Sequence, residues 1–125
     1  MQLMETDLGK YKGYIYFFIS KHKRYFEVYM EQIFPFDMEY IPSLLWILSA
    51  FGDATMEIFD ELSEMQKCEI FTFVENGVIS SDDYVATAFC TGFMESIANK
   101  KDYENIKPYL GHNSLEYAIN WLNFQ

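Results

Sequence analysis

Much of what enzymes and metal proteins are built from is missing from this 125-residue chain. It has no GxGxxG or GxxxxGKS/T phosphate loop, no HExxH, no GxSxG and no EF-hand loop, which removes the commonest nucleotide, zinc, serine-hydrolase and calcium sites. The two cysteines, Cys68 and Cys90, form no CxxC pair and have no neighbouring histidine to complete a metal set, so they read as reduced thiols. Neither histidine, His22 or His112, follows a Glu-x-x, the spacing a di-metal helical bundle needs. No catalytic residue, cofactor or metal is therefore expected. The first ten residues lack the basic and apolar regions of a secretory leader, and no apolar run approaches the ~18 residues of a membrane span. The expectation is a cytoplasmic protein without membrane contact. Period-two alternation is also absent, Glu69 to Val74 being the one ambiguous stretch, and this argues against a sheet.

What the chain does have is aromatic bulk. Twelve Phe and ten Tyr raise the aromatic share to 19%, far above what an acidic disordered tail carries, so the chain folds. Its length suits a single domain over residues 1–125. Apolar residues at Ile15, Phe18, Ile19, Tyr25, Phe26, Tyr29, Met30 and Ile33 keep a spacing of three and four and predict one long amphipathic helix from Tyr11 to Phe34, stopped by Pro35. A second helix is expected from Pro42 to Phe51 with Gly52 as its left-handed cap. Asp53 would cap a third, which bends or divides near Met65 to Lys67 and ends at Asn76-Gly77. Ser80-Ser81-Asp82-Asp83 signals a serine-capped fourth helix, in which Gly92 leaves room for a close neighbour. Asp102 to Leu110 reads as a short turn or helix, and Asn113-Ser114 as the cap of a last one. The predicted fold is all-α, a bundle of about five or six helices.

Basic charge is the other scarcity, and it is local. Between Pro35 and Asn99 a single base, Lys67, faces twelve carboxylates, so nearly all of the net charge of −10 falls in the middle of the chain. Such a field attracts basic partners and repels nucleic acid and anionic membrane. The basic cluster Lys10, Lys12, Lys21, Lys23 and Arg24 does not reverse this, because it would have to bind nucleic acid against the field of the whole molecule. Asp53, Glu57, Asp60, Glu61 and Glu64 fall at i, i+4, i+7, i+8 and i+11, one acidic ridge if the segment is a single helix. Like charges at that spacing cost a few tenths of a kcal/mol per pair, with no base interleaved. Either the ridge is a preformed docking face for a basic partner or it is a solvated helix face. Asp82 and Asp83 divide the same way, between docking and helix capping. His22, on the apolar stripe, is expected to be at least partly buried, as a packed residue rather than a general base; His112 reads as a surface loop residue.

The stretches Glu69-Ile70-Phe71-Thr72-Phe73-Val74-Glu75, Ser81-Asp82-Asp83-Tyr84-Val85-Ala86-Thr87-Ala88-Phe89, Gly92-Phe93-Met94-Glu95 and Leu110-Gly111-His112-Asn113-Ser114-Leu115-Glu116-Tyr117, with Trp121, carry a resemblance over the second half of the chain. They resemble the small acidic helical immunity proteins of bacterial contact-dependent growth inhibition and polymorphic toxin systems. The resemblance implies a non-catalytic protein that binds a cognate toxin, commonly a basic nuclease, and covers its active or substrate-binding surface. It carries over no site residues, because such interfaces diversify with the toxin. The alternatives are an acidic nucleic-acid mimic of phage or plasmid origin and a small helical enzyme with a pocket around His22.

Overall fold

The computed structural model describes residues 10–33 and 42–124, and all regular structure among them is helical. Helix α1 is Lys12–Ile19 and α2 is Lys23–Ile33; α3 runs over Leu44–Ile58 and closes in a 3-10 turn, Phe59–Glu61. Helix α4 is Glu64–Val78. Next, α5 starts as Asp83–Thr87, widens into a π-helical Ala88–Met94 and ends as Glu95–Ile97. A short α6, Tyr103–Ile106, leads through the 3-10 turn Lys107–Tyr109 to α7, His112–Phe124. With α5 taken as one rod, the described residues hold seven helices, beyond the expected five or six because the first helix is in fact two. The predicted stop at Phe34-Pro35 and the acids Asp37 and Glu39 lie outside the described residues.

The division of the first helix has a tertiary cause. At the end of α1, Ser20 Oγ donates to the Phe17 carbonyl (2.6 Å) and the Lys21 amide to that of Phe18 (2.9 Å), tightening the last turn. The Lys21 carbonyl, which a continuous helix would use internally, accepts instead from Gln66 Nε2 at 2.9 Å. The turn resets the phase of the stripe: Val28 is buried and Phe26 stands 49% exposed, the reverse of the single-helix expectation.

Glycine positions correct three further boundaries. None of the described glycines has a positive φ, so neither Gly52 nor Gly77 serves as a left-handed cap. Gly52 and Asp53 lie inside α3, which Ser43 rather than Pro42 opens by accepting from the Trp46 amide. A Cβ on Gly52 would come within 2.7 Å of Ser96 Cβ, and one on Gly92 within 2.6 Å of the Leu45 carbonyl. The two glycines are therefore the reciprocal contact at which α3 and α5 cross, as expected for Gly92 and unforeseen for Gly52. Gly77 lies under the Phe89 ring, where a Cβ would be 2.3 Å from the ring edge, so α4 runs on to Val78.

The suspected division near Met65 is real and falls a few residues earlier. Ser63 closes a reciprocal capping box with Gln66 (Gln66 N to Ser63 Oγ 3.1 Å, Ser63 N to Gln66 Oε1 2.9 Å) and starts α4 anew. Across the junction, Lys67 Nζ lies 4.3 Å from the centre of the Phe59 ring. Glu69 to Val74, the ambiguous stretch, is helical.

Phe18 sits fully buried at the centre of the core, its ring within 5.1 to 5.8 Å of the rings of Tyr25, Phe51, Phe73 and Phe93. Such tilted and edge-on pairs suit the ring quadrupole and lock several helices onto one another. Tyr25, fully buried in this core, bonds through its phenol to Thr55 Oγ1 at 2.7 Å, and Thr55 donates onward to the Phe51 carbonyl at 2.8 Å. Burial pushes the Tyr25 phenol up to about 12, so it stays neutral.

Candidate docking surface

The α1–α2 turn places a histidine and an arginine beside the acids of α3. His22 Nδ1 accepts the Arg24 amide at 3.0 Å, capping α2, which leaves the proton on Nε2 to meet Glu61 Oε1 at 3.1 Å. Its side chain is 16% exposed, as expected of a packed residue, and both ring nitrogens are hydrogen-bonded. Two residues on, Arg24 bridges α2 and α3: Nε donates to Glu57 (2.8 Å) and one terminal nitrogen reaches Glu31 (3.1 Å) and Glu27 (3.3 Å). The Glu57 bond, then the Glu31 bond, hold the guanidinium firmly charged.

The expected ridge is thus not one helix face. Asp53 and Glu57 stand on α3, Asp60 and Glu61 on the 3-10 turn, and Glu64 at the start of α4. The bases that relieve Glu57 and Glu61 arrive from elsewhere in the fold, whereas Glu64 has one three residues on. Glu57 meets Arg24 and Glu61 meets His22; Glu64 meets Lys67 at 3.6 Å and takes the Tyr109 hydroxyl at 2.6 Å. Among the described residues no ion pair engages Asp53, Asp60 or Asp83. Desolvation pushes the Asp53 carboxyl up, the expected response of a carboxylate without a compensating cation.

Asp82 has a structural task. It, and not a serine, is the cap of α5: Oδ1 accepts from the Tyr84 amide at 2.9 Å, and Oδ2 accepts from the Tyr11 hydroxyl at 3.2 Å. Tyr11 also stacks on Tyr84 at 4.9 Å. Asp82 and the exposed Asp83 therefore lie at the opposite end of α1 from His22, and α1 is about 12 Å long by the rise of its eight residues.

Two hollows follow α2 and α3. The first, about 330 Å³, is lined by Arg24, Val28, Glu31, Ala54 and Glu57, with Gln32, Ala50 and Asp53 shared with the second. The second, about 240 Å³, continues past Asp53 to Leu45, Trp46 and Ser49. Trp46 is 48% exposed, and its indole N–H bonds to Gln32 Oε1. Arg24, Glu27, Glu31 and Trp46 were missed as surface partners, although Arg24, Glu27 and Glu31 carry the i, i+3, i+7 spacing of one helix face. Elsewhere, Cys90 is half-buried and its thiol is pushed up by burial and by Glu95, the opposite of an activated nucleophile. His112 is exposed as expected, though it opens α7 rather than lying in a loop.

Residues 19–125 match the family described as Domain of unknown function (DUF7674). The chain belongs to that family. No curated protein and no solved structure matches it. Among the described residues of this DUF7674 member, no group of three or more His, Cys, Asp or Glu side chains could hold a metal ion, and no helix is long and apolar enough to cross a membrane.

Proposed function

We propose that this DUF7674 protein is a stoichiometric inhibitor of the immunity-protein kind, which binds a basic, nuclease-type toxin in the cytoplasm and covers its working surface. The observation that carries the reading is the imbalance on the α2–α3 face. There Glu27, Glu31 and Glu57 share one guanidinium and Glu61 meets one imidazole, while no ion pair among the described residues engages Asp53 or Asp60. A folded protein gains little by gathering exposed like charges, since individual surface ion pairs are worth about 0.2–1 kcal/mol. The same arrangement raises the encounter rate with a basic protein and fixes its orientation. The exposed Trp46 at the end of the face supplies the aromatic contact that interfaces favour.

The test is a titration into the purified product of a toxin gene neighbouring this one. Toxic activity should vanish at an end point near one equivalent, and the toxin recovered from the complex should be chemically unaltered. D53K with D60K should slow association and weaken its salt dependence while the fold persists, because neither residue holds an internal ion pair. Neutralisation by a small fraction of an equivalent would mean turnover and would overturn the proposal. So would association that is indifferent to both reversals and to salt.

A further inference from the structure

The groove between α2 and α3 has a shape and a lining more particular than an acidic patch. Its lining combines Val28, Ala50 and Ala54, small and apolar, with the carboxylates of Glu31, Asp53 and Glu57. An aliphatic stem with a charged head fits such a channel, because the stem covers apolar surface while the head meets carboxylate. The protein's own Arg24 already displays that mode at the edge of the groove. It uses one oxygen of Glu57 and one of Glu31 (Oε2 in each case), while a carboxylate can accept about four hydrogen bonds. Acceptor capacity therefore remains on both carboxylates. Asp53 adds a third carboxylate one turn before Glu57, desolvated and outside the described ion pairs.

We infer that this groove receives an arginine side chain of the basic partner, its guanidinium between Asp53 and the unused oxygens of Glu31 and Glu57, its stem over Val28, Ala50 and Ala54. The inference rests on the docking reading above and specifies where and by what group the partner is held. Charge complementarity names the occupant, and geometry favours arginine over lysine. A planar fork of donors serves two or three carboxylates at once, whereas an ammonium is a point charge. The groove continues at Asp53 into the hollow lined by Leu45 and Trp46, so an apolar or aromatic neighbour of that arginine would lie against the exposed indole.

The probe is a helical peptide with one arginine flanked by leucines on a single face, titrated into the isotope-labelled full chain. The same peptide with citrulline in place of arginine is the neutral isostere. The arginine peptide should shift the amide signals of Val28, Ala50, Asp53, Ala54 and Glu57, and should bind at least about fivefold tighter than the citrulline peptide. D53N with E31Q should weaken arginine binding about five- to tenfold with the spectrum otherwise unchanged. R24Q, which frees the acceptors Arg24 occupies, should strengthen it. Suppose the arginine peptide instead perturbs Asp60, Glu61 and Glu64, leaves the groove silent and ignores the D53N/E31Q change. The groove assignment then falls while the acidic-face reading stands. No preference for arginine over citrulline at any surface overturns both.

Discussion

Replacing Glu75 by glutamine or alanine should loosen the C-terminal helix from the body of the protein. Glu75 belongs to α4, but its carboxylate caps α7: it accepts the Asn113 and Ser114 backbone amides at 3.0 and 2.8 Å, and Asn113 Nδ2 and Ser114 Oγ at 2.8 Å each. Burial alone pushes this carboxyl up. The donors on Asn113 and Ser114 outweigh it and bring the pKa from 4.5 down to about 2. A group whose folded pKa is depressed stabilises the fold above its unfolded value, so the contribution is whole above pH ~4.5 and is lost as the pH falls towards 2. At about 1.36 kcal/mol per pH unit that interval sets a ceiling of about 3.4 kcal/mol. Glu75 is partly exposed, and solvent screening reduces the expectation to about 2 kcal/mol. In a domain of this size that corresponds to a fall in Tm of roughly 6–12 °C. Glutamine should not rescue, because its amide nitrogen presents donors to donors. Thermal melts of wild type, E75Q and E75A at pH 7 and pH 2.5 would test this. The variants should melt well below wild type at neutral pH, and the gap should narrow in acid. A pH 7 difference under about 2 °C, or an equal gap at both pH values, would refute the reasoning.

Three further outcomes follow from the packing. T55V should cost about 1–3 kcal/mol by stranding the buried Tyr25 hydroxyl, yet much less in a Y25F background, a cycle read by urea denaturation. G92A should destabilise by about 1–3 kcal/mol, since the new methyl would meet the Leu45 carbonyl at 2.6 Å and force α3 and α5 apart; a stability equal to wild type would show that the crossing can yield. S63A should cost about 1 kcal/mol for the lost cap, and Q66A more than that, because Gln66 also holds the Lys21 carbonyl at the α1–α2 turn. Amide exchange at residues 20–22 should rise in Q66A and not in S63A.

The sequence by itself determined the helical class, most of the inward-facing residues and the net acidity, because three-and-four periodicity, caps and charge are local properties of the chain. Ile15, Phe18, Tyr25 and Tyr29 are buried where the periodicity placed them. The tertiary structure decided whatever depends on a group distant in sequence. Gln66 reaches across to the Lys21 carbonyl and divides what reads locally as one helix. Gly52 and Gly77, residues that locally signal an ending, are instead small positions beneath other helices. Glu75 caps a helix whose own first residues, Asn113 and Ser114, looked like the cap. Glu57 and Glu61 of the acidic ridge have no base beside them along the chain, yet Arg24 and His22 reach them from more than thirty residues away. Hydrogen bonds and ion pairs form between neighbours in space, and periodicity, which reports which side of an element faces inward, does not say which element will be there.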